Sequence, residues 1–184
     1  FLSGAPAPRY APPCPNRRSS VPAPPPCTPG TGSAGTVVGC GEGCEDFSMG
    51  ARVLATTFGA YASQWSVAAS SLIRVPDNLA LDQAAALMQS YCTMWFAYTR
   101  RMQLRPGQSV LVLGAGGGIG LAAIDVAVAL GATVIAAASS EDKLTAAKVA
   151  GATHTINYTT GEAKVRDKEL GVDVVVDPIG GELA

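Results

Sequence analysis

The chain has 184 residues, of which 48% are apolar and 15% charged, and its formal net charge at pH 7 is −1. This length accommodates one ordinary domain, or one domain and part of another, and the near-neutral charge provides no basic patch for nucleic acid and no polybasic membrane signal. The five cysteines form no CxxC pair, and their odd number argues against a fully disulfide-paired secreted domain. We therefore expect a cytoplasmic protein with no nucleic-acid or membrane partner.

Residues 1–27 differ in composition from the rest of the chain. Nine of the thirteen prolines lie between Pro6 and Pro26. Such a segment buries little apolar surface, so the composition predicts an extended or disordered N-terminal region.

From Thr28 onward, short β-type segments alternate with turns, and helical patterns follow. The predicted strands are Gly35–Val38, Arg52–Thr57, Tyr61–Ala68 and Ser71–Val75. One helix is predicted from Leu81 and a second over Met88–Met102, in which Tyr91, Trp95 and Tyr98 are interpreted as packing residues.

The most informative stretch runs from Val110 to Lys143. It begins with an apolar strand pattern over Val110–Leu113, which is followed by a turn of sequence GAGGGIG. A helical pattern over Leu121–Leu130 then ends at Gly131, and a second strand pattern covers Thr133–Ala138. Strand, glycine turn, helix and strand in this order are the context that a dinucleotide-binding fingerprint requires.

The fingerprint itself reads Ala115-x-Gly117-x-x-Gly120, with alanine at the first glycine position. Gly117 would let the backbone approach a pyrophosphate, and Gly120 would let the helix pack tightly on the strand. Free N–H groups at the start of the helix would hold the phosphate charge. The pattern favours nucleotide binding; the alternative is a glycine-rich turn in some other α/β protein.

The residues after the second strand favour NADPH over NADH. A free ribose 2′-hydroxyl usually meets an Asp or Glu about twenty residues beyond the glycines, but this chain has Ala137-Ala138-Ser139-Ser140 there. Lys143 could supply positive charge to a 2′-phosphate, and the Ser139 hydroxyl could donate a hydrogen bond. Glu141 and Asp142 begin the next helix, where acids stabilise the helix dipole without a ligand.

Further elements complete the predicted nucleotide-binding region. They are a helix capped by Ser140 and ending at Ala150, a strand over Thr153–Ile156, a short helix over Ala163–Leu170 and a strand over Val172–Val176. A doubly wound sheet normally orders six strands as 3-2-1-4-5-6, so we expect an incomplete sheet of this type. His154, the only histidine, is interpreted as structural, and no cysteine spacing predicts a zinc site.

The residues from Thr28 to Ala184 resemble a known family. The matching motifs include Thr28-Pro29-Gly30-Thr31, Gly50-Ala51-Arg52-Val53, the glycine fingerprint and Asp177-Pro178-Ile179-Gly180-Gly181. In their order and spacing they are similar to the zinc-independent quinone oxidoreductases of the medium-chain dehydrogenase/reductase superfamily.

The resemblance implies an α/β fold: a partial GroES-like β domain followed by an incomplete Rossmann-type doubly wound parallel sheet. It implies a substrate domain with linking helices over 28–104 and a truncated NADP-binding domain over 105–184; the proline-rich segment over 1–27 precedes the resemblance and does not match the family's first strands. For full-length members it also implies a homodimer, but it does not imply one for a chain of this length.

Residue roles follow from the resemblance by position. Gly117, Gly118 and Ile119 would contact the pyrophosphate, and Ser139, Lys143 and Tyr158 would surround the 2′-phosphate. Thr93 would lie near the nicotinamide, which is the weaker assignment. With Ala115 and Gly120 of the fingerprint, these residues make up the expected cofactor site. Hydride transfer is the cofactor's chemistry, so no catalytic residue is assigned.

The expected activity is NADPH-dependent reduction of a small molecule, a quinone or an activated alkene or carbonyl. Two alternatives remain at this stage. One is a module that binds the nucleotide but is catalytically incompetent, and the other is a relative of the enoyl-thioester reductases.

Overall fold

The computed structural model describes residues 28–160 and 171–180. The proline-rich segment over 1–27 and the helix predicted at Ala163–Leu170 lie outside the described residues. The described residues divide into two compact units, one up to residue 88 and the other from residue 89 onward. This division falls within a helix, and the predicted domain boundary between residues 104 and 105 stays a prediction.

The first unit contains a three-stranded antiparallel sheet of β1 (Ser33–Thr36), β2 (Arg52–Ala55) and β3 (Leu72–Arg74), with β2 in the centre. The register pairs Gly35 with Val53 and Leu54 with Ile73. Two small apolar clusters flank the sheet, one containing Trp65 and Val67 and the other Leu54, Val75 and Ala84.

The strand predicted at Tyr61–Ala68 is wrong. Trp65 and Val67 are buried between exposed neighbours, so burial alternates along this stretch as it does in a strand. The segment nevertheless contains bends over residues 61–64 and no strand, and the Trp65 indole N–H donates to the Phe58 carbonyl at 3.1 Å. Alternating burial can therefore arise from side chains packed in one apolar cluster, without the backbone hydrogen bonds of a strand pair.

The two helices predicted from Leu81 and over Met88–Met102 are one continuous element. Helix α1 (Leu81–Phe96) passes into a π-helical turn over Ala97–Met102, which ends at Gln103 in a left-handed conformation with φ 52°. Tyr98 is fully buried and Tyr91 packs on the same core, as expected. Trp95 is 56% exposed, so its interpretation as a packing residue is wrong for the described part of the chain.

The second unit contains a parallel sheet in the order β6-β5-β4-β7. Its strands are β4 (Ser109–Leu113), β5 (Thr133–Ala138), β6 (His154–Asn157) and β7 (Val174–Val176). In sequence order this arrangement is 3-2-1-4, the first four positions of the predicted doubly wound sheet. The expected α/β class and the Rossmann-type topology are confirmed for the described residues.

Two helices connect the first three parallel strands: α2 (Gly118–Ala129) and α3 (Glu141–Val149). The main core lies on one face of the sheet, where strand residues such as Val112 and Ala136 pack with Ile124 of α2 and Ala147 of α3. The other face carries Leu111, Leu113, Ile135, Ala137 and Ile156. Strands covered on both faces need the nearly continuous apolar runs that the sequence contains.

Helix α2 begins three residues before the predicted start, at Gly118 instead of Leu121. The sequence did not predict the first turn of this helix, because it contains glycine, which is unfavourable within a helix. Ser140 occupies the backbone position that precedes α3, but its side chain makes no capping hydrogen bond. Gly131 and Gly151 follow their helices with φ of 82° and 108°, the left-handed geometry expected of a C-terminal glycine.

Candidate nucleotide-binding site

The glycine turn joins the carboxyl end of β4 to the start of α2. Gly114 has a φ of 63°, and the Gly117 N–H donates to the Gly114 carbonyl at 3.0 Å. The Ala115 N–H donates to the Ala137 carbonyl of β5 at 3.0 Å, and its side chain is fully buried. Ala115 therefore ties the turn to the sheet, and its backbone donor is already used.

Gly120 allows the helix to approach the turn closely. A Cβ atom on Gly120 would lie 2.3 Å from the Gly114 carbonyl oxygen and 2.8 Å from the Cα of Ala115. These are backbone atoms that cannot move aside without displacing the whole turn. The packing role that the sequence predicted for Gly120 is confirmed by this geometry, and it fixes where the start of α2 lies relative to β4.

The start of α2 is open to solvent at Gly117 and Gly118, whereas Ile119 is partly buried against the main core. Gly117 precedes the helix in an extended conformation, and no side chain caps the helix. The first N–H groups of a helix have no acceptor within it, and the helix dipole adds positive potential there. This end of α2 can therefore accept an anionic group.

Ser90 of α1 is a neighbour of this helix start that the sequence analysis did not identify. A Cβ atom on Gly118 would lie 3.6 Å from the Ser90 hydroxyl oxygen, which places that hydroxyl beside the first residue of α2. Thr93, one turn further along α1, is exposed, and its hydroxyl donates to the Gln89 carbonyl of the same helix. Its assignment to the nicotinamide stays a prediction.

Lys143 reaches from α3 across to the glycine turn. A Cβ atom on Gly116 would lie 2.5 Å from both Cβ and Cγ of Lys143, so the aliphatic part of the lysine covers this glycine. The Lys143 ammonium group donates to the Ser139 hydroxyl oxygen at 3.1 Å. The structure thus brings Lys143 and Ser139 together, as the sequence predicted, and adds Gly116, which the sequence analysis did not assign.

Tyr158 and Asn157 lie next to this cluster at the end of β6. The register pairs Asn157 with Ala138, the residue before Ser139, and Tyr158 packs partly buried against the second face of the sheet. The Asn157 amide donates to the Glu141 carboxylate at 3.0 Å, which gives that acid a partner at the first turn of α3. Lys143 of α3 therefore contacts the glycine turn after β4 and Ser139 after β5, next to Asn157 at the end of β6.

No described helix is long and apolar enough to cross a membrane. Within residues 28–160 and 171–180, no group of three or more His, Cys, Asp or Glu side chains could hold a metal ion. The one histidine, His154, is the exposed first residue of β6.

Comparisons with known proteins agree with this geometry. Residues 118–184 match the family described as zinc-binding dehydrogenase. The zinc in that description does not fit the described residues, which contain no group of ligands for a metal ion.

Two relatives with named activities share much of the sequence. Quinone oxidoreductase-like protein 2 of Rattus norvegicus is 39% identical over 164 residues, which are 86% of this chain and 47% of that protein. A 2-haloacrylate reductase of a Burkholderia species is 37% identical over 176 residues, which are 89% of this chain and 53% of that protein. The chain thus spans about half the length of the curated relatives it matches.

The fold is also found in solved structures. The Escherichia coli quinone oxidoreductase complexed with NADPH matches with a TM-score of 0.79 and 31% identity, covering 89% of this chain and 52% of that one. The matched sequence, the sheet order and the glycine turn agree with the resemblance drawn from the motifs. The chain is therefore similar, over about half of their length, to quinone oxidoreductases and quinone oxidoreductase-like proteins, and its residues 118–184 match the zinc-binding dehydrogenase family.

Proposed function

We propose that this chain is the NADPH-binding part of an oxidoreductase that reduces a quinone or an activated alkene or carbonyl. The observation that carries the proposal is the contact of Lys143 with Gly116 and Ser139. It places an ammonium group at the carboxyl end of β5, where an NADH-binding protein usually has a carboxylate. A 2′-phosphate at this position would gain a charge-assisted hydrogen bond.

The glycine turn supports the same proposal through its shape. Gly117 and Gly118 are exposed, and the first contacts that a Cβ on them would make with other described residues lie at 3.5 and 3.6 Å, so ligand atoms could approach this backbone. The pyrophosphate would lie at the start of α2, and Ser139 and Lys143 would hold the adenosine end. The nicotinamide supplies the hydride when the cofactor is bound, and the protein contributes its orientation and the exclusion of water.

The relatives support the substrate class. One is named as quinone oxidoreductase-like and another as a 2-haloacrylate reductase, and an acrylate is an alkene activated by its carboxylate. The second of these names favours reduction of a conjugated alkene as the alternative to quinone reduction. The homodimer, the cytoplasmic location, the domain boundary and the individual roles of Ile119, Tyr158 and Thr93 remain predictions.

Direct measurements test binding and turnover separately. We expect NADPH fluorescence to change on addition of the chain with saturable binding, and nicotinamide absorbance to fall when a quinone or an acrylate is supplied. Binding without turnover would support the catalytically incompetent module instead of the enzyme. Absence of NADPH binding to the folded chain would contradict the proposal.

Gly116→Ala and Gly117→Ala form a matched pair of variants. A methyl group on Gly116 would displace Lys143, whereas on Gly117 it would meet only the Gly114 carbonyl oxygen at 3.5 Å and protrude where the pyrophosphate is expected. Gly116→Ala should therefore weaken NADPH binding and leave NADH binding nearly unchanged, and Gly117→Ala should weaken both. Titration of each variant with both cofactors measures this. If Gly116→Ala weakened binding of both cofactors and Gly117→Ala weakened only NADPH binding, the positions assigned to the 2′-phosphate and the pyrophosphate would be wrong.

A further inference from the structure

The loop between β1 and β2 contains two cysteines that the proposed function does not use. Its base is fixed by backbone hydrogen bonds from Val37 to Ala51 at 3.0 Å and from Gly50 to Val37 at 2.8 Å. Cys40 and Cys44 lie within this closed loop, and both are free thiols.

Both sulfur atoms are held by carbonyls of the same loop. The Cys40 thiol donates to the Phe47 carbonyl at 3.2 Å, and the Cys44 thiol donates to the Gly41 carbonyl at 3.1 Å. Interaction with the Cys40 thiol, followed by burial, raises the pKa of Cys44 to about 11. The loop therefore brings two reduced sulfur atoms together.

The two thiols differ in access to solvent. Cys40 is exposed, whereas Cys44 is only 4% exposed. An oxidant in solution would therefore meet Cys40 first and leave Cys44 as the thiol that reacts second. The backbone around them is open at Gly41 and Gly43, where an added Cβ would meet no described atom within 4 Å.

We propose that Cys40 and Cys44 form an oxidisable dithiol, which a hydroperoxide converts to a disulfide within this loop. The Cys40 thiolate attacks the peroxide, the O–O bond breaks, and a sulfenic acid forms with release of water or the corresponding alcohol. Cys44 then attacks the sulfenic sulfur, so the S–S bond forms, the Cys44 proton is lost and a second water leaves. Two electrons pass from the sulfur atoms to the peroxide.

The reaction removes both thiol protons and so both hydrogen bonds to the loop. The carbonyls of Gly41 and Phe47 lose their sulfur donors, while the hydrogen bonds at the base of the loop do not involve sulfur. Oxidation should therefore change the loop and leave the sheet intact. Reduction by a dithiol reagent should restore the original hydrogen bonds.

The test uses hydrogen peroxide on the chain carrying Cys14→Ser, Cys27→Ser and Cys92→Ser, so that only the two loop thiols remain. Trypsin cleaves after Arg18 and Arg52, so one peptide spanning 19–52 contains both. We expect this peptide to lose the mass of two hydrogens and to resist alkylation, and to accept two alkyl groups after reduction. Adding Cys44→Ala should stop the reaction at a sulfenic acid that dimedone traps.

Three results would overturn the proposal: a peptide with oxygen added to one cysteine while the other is still alkylated, a disulfide between two chains, or two unreacted thiols. Cys40→Ser provides a second variant because it changes an exposed side chain, so its folding does not depend on filling a buried space. In this variant Cys44 should resist peroxide. Rapid oxidation of Cys44 alone would also contradict the proposed order of attack.

Discussion

The two sheets of this chain are held together in different ways. In the parallel sheet, β4 and β5 pair over five residues and both faces are apolar, so neighbouring strands and helices determine the geometry together. In the antiparallel sheet, strands of three or four residues pair, and single side chains such as Arg52 and Trp65 anchor the adjoining loops. The comparison indicates that apolar packing of strands and helices fixes the glycine turn, whereas the first unit combines small apolar clusters with individual polar contacts.

The largest effect is expected in the parallel unit, from Gly120→Ala. The new methyl group would overlap the Gly114 carbonyl oxygen and the Ala115 Cα, so α2 would have to move away from the turn. We expect a loss of about 3 kcal/mol in the free energy of unfolding, at the upper end of the cost of overpacking. Urea denaturation followed by circular dichroism measures it.

Gly118→Ala is the matched control, because its added methyl group would find ordinary contact with Ser90 at 3.6 Å. We expect it to unfold within about 0.5 kcal/mol of the unsubstituted chain. Equal destabilisation by both substitutions would contradict the explanation that Gly120 is required because of its close contact with Gly114 and Ala115.

In the antiparallel unit, the largest expected effect comes from Arg52→Ala. The guanidinium group donates to the carbonyls of Pro76 and Asp77 at 3.1 and 3.0 Å and also to that of Leu79, linking β2 to the segment before α1. Loss of these charge-assisted bonds should cost about 2 kcal/mol. Hydrogen exchange at β2 amides, compared between variant and unsubstituted chain, reports the loss locally.

Arg74→Ala is the comparison for Arg52. Arg74 is exposed, with one hydrogen bond to the Asp46 carbonyl and its guanidinium 5.1 Å from the centre of the Phe47 ring. We expect it to cost less than about 1 kcal/mol, as for an exposed cation–π contact. A larger loss from Arg74→Ala than from Arg52→Ala would contradict the ranking.

The smallest effect concerns Asp173, which accepts hydrogen bonds from the Ser109 N–H at 2.7 Å and from its hydroxyl at 2.8 Å, joining β4 to the start of β7. The hydrogen bond from the Ser109 N–H has the larger effect on the pKa of Asp173, the bond from the hydroxyl the smaller, and both lower it. A lowered pKa in the folded state stabilises the protein above the unfolded pKa of about 4 and loses that contribution as pH falls. The stability difference between the unsubstituted chain and Asp173→Asn should therefore shrink on acidification, and a pH-independent difference would exclude this linkage.

The parallel unit was more predictable from sequence than the antiparallel unit, for physical reasons. Thr133–Ala138 was predicted with its observed bounds, because a strand covered on both faces leaves an unbroken apolar run. The false strand at Tyr61–Ala68 arose because Trp65 and Val67 are buried in one apolar cluster without pairing to another strand, and sequence periodicity does not distinguish such burial from pairing.

The site could be predicted only in part. The glycine spacing and the serine and lysine after β5 are local signals, and they led to Gly120, Ser139 and Lys143. The contacts of Lys143 with Gly116 and of Ser90 with Gly118 depend on how separate helices pack around the turn. No local pattern encodes such packing, so these residues became visible only in the structure.

The most direct measurement is the effect of Lys143→Ala on the dissociation constants of NADPH and NADH. Loss of one charge-assisted phosphate contact, about 1.5–3 kcal/mol, should weaken NADPH binding by roughly 10- to 150-fold. NADH has no 2′-phosphate, so its dissociation constant should change by less than about two-fold. Equal weakening of both cofactors, or of neither, would contradict the assignment of the 2′-phosphate to the cation held between Gly116 and Ser139.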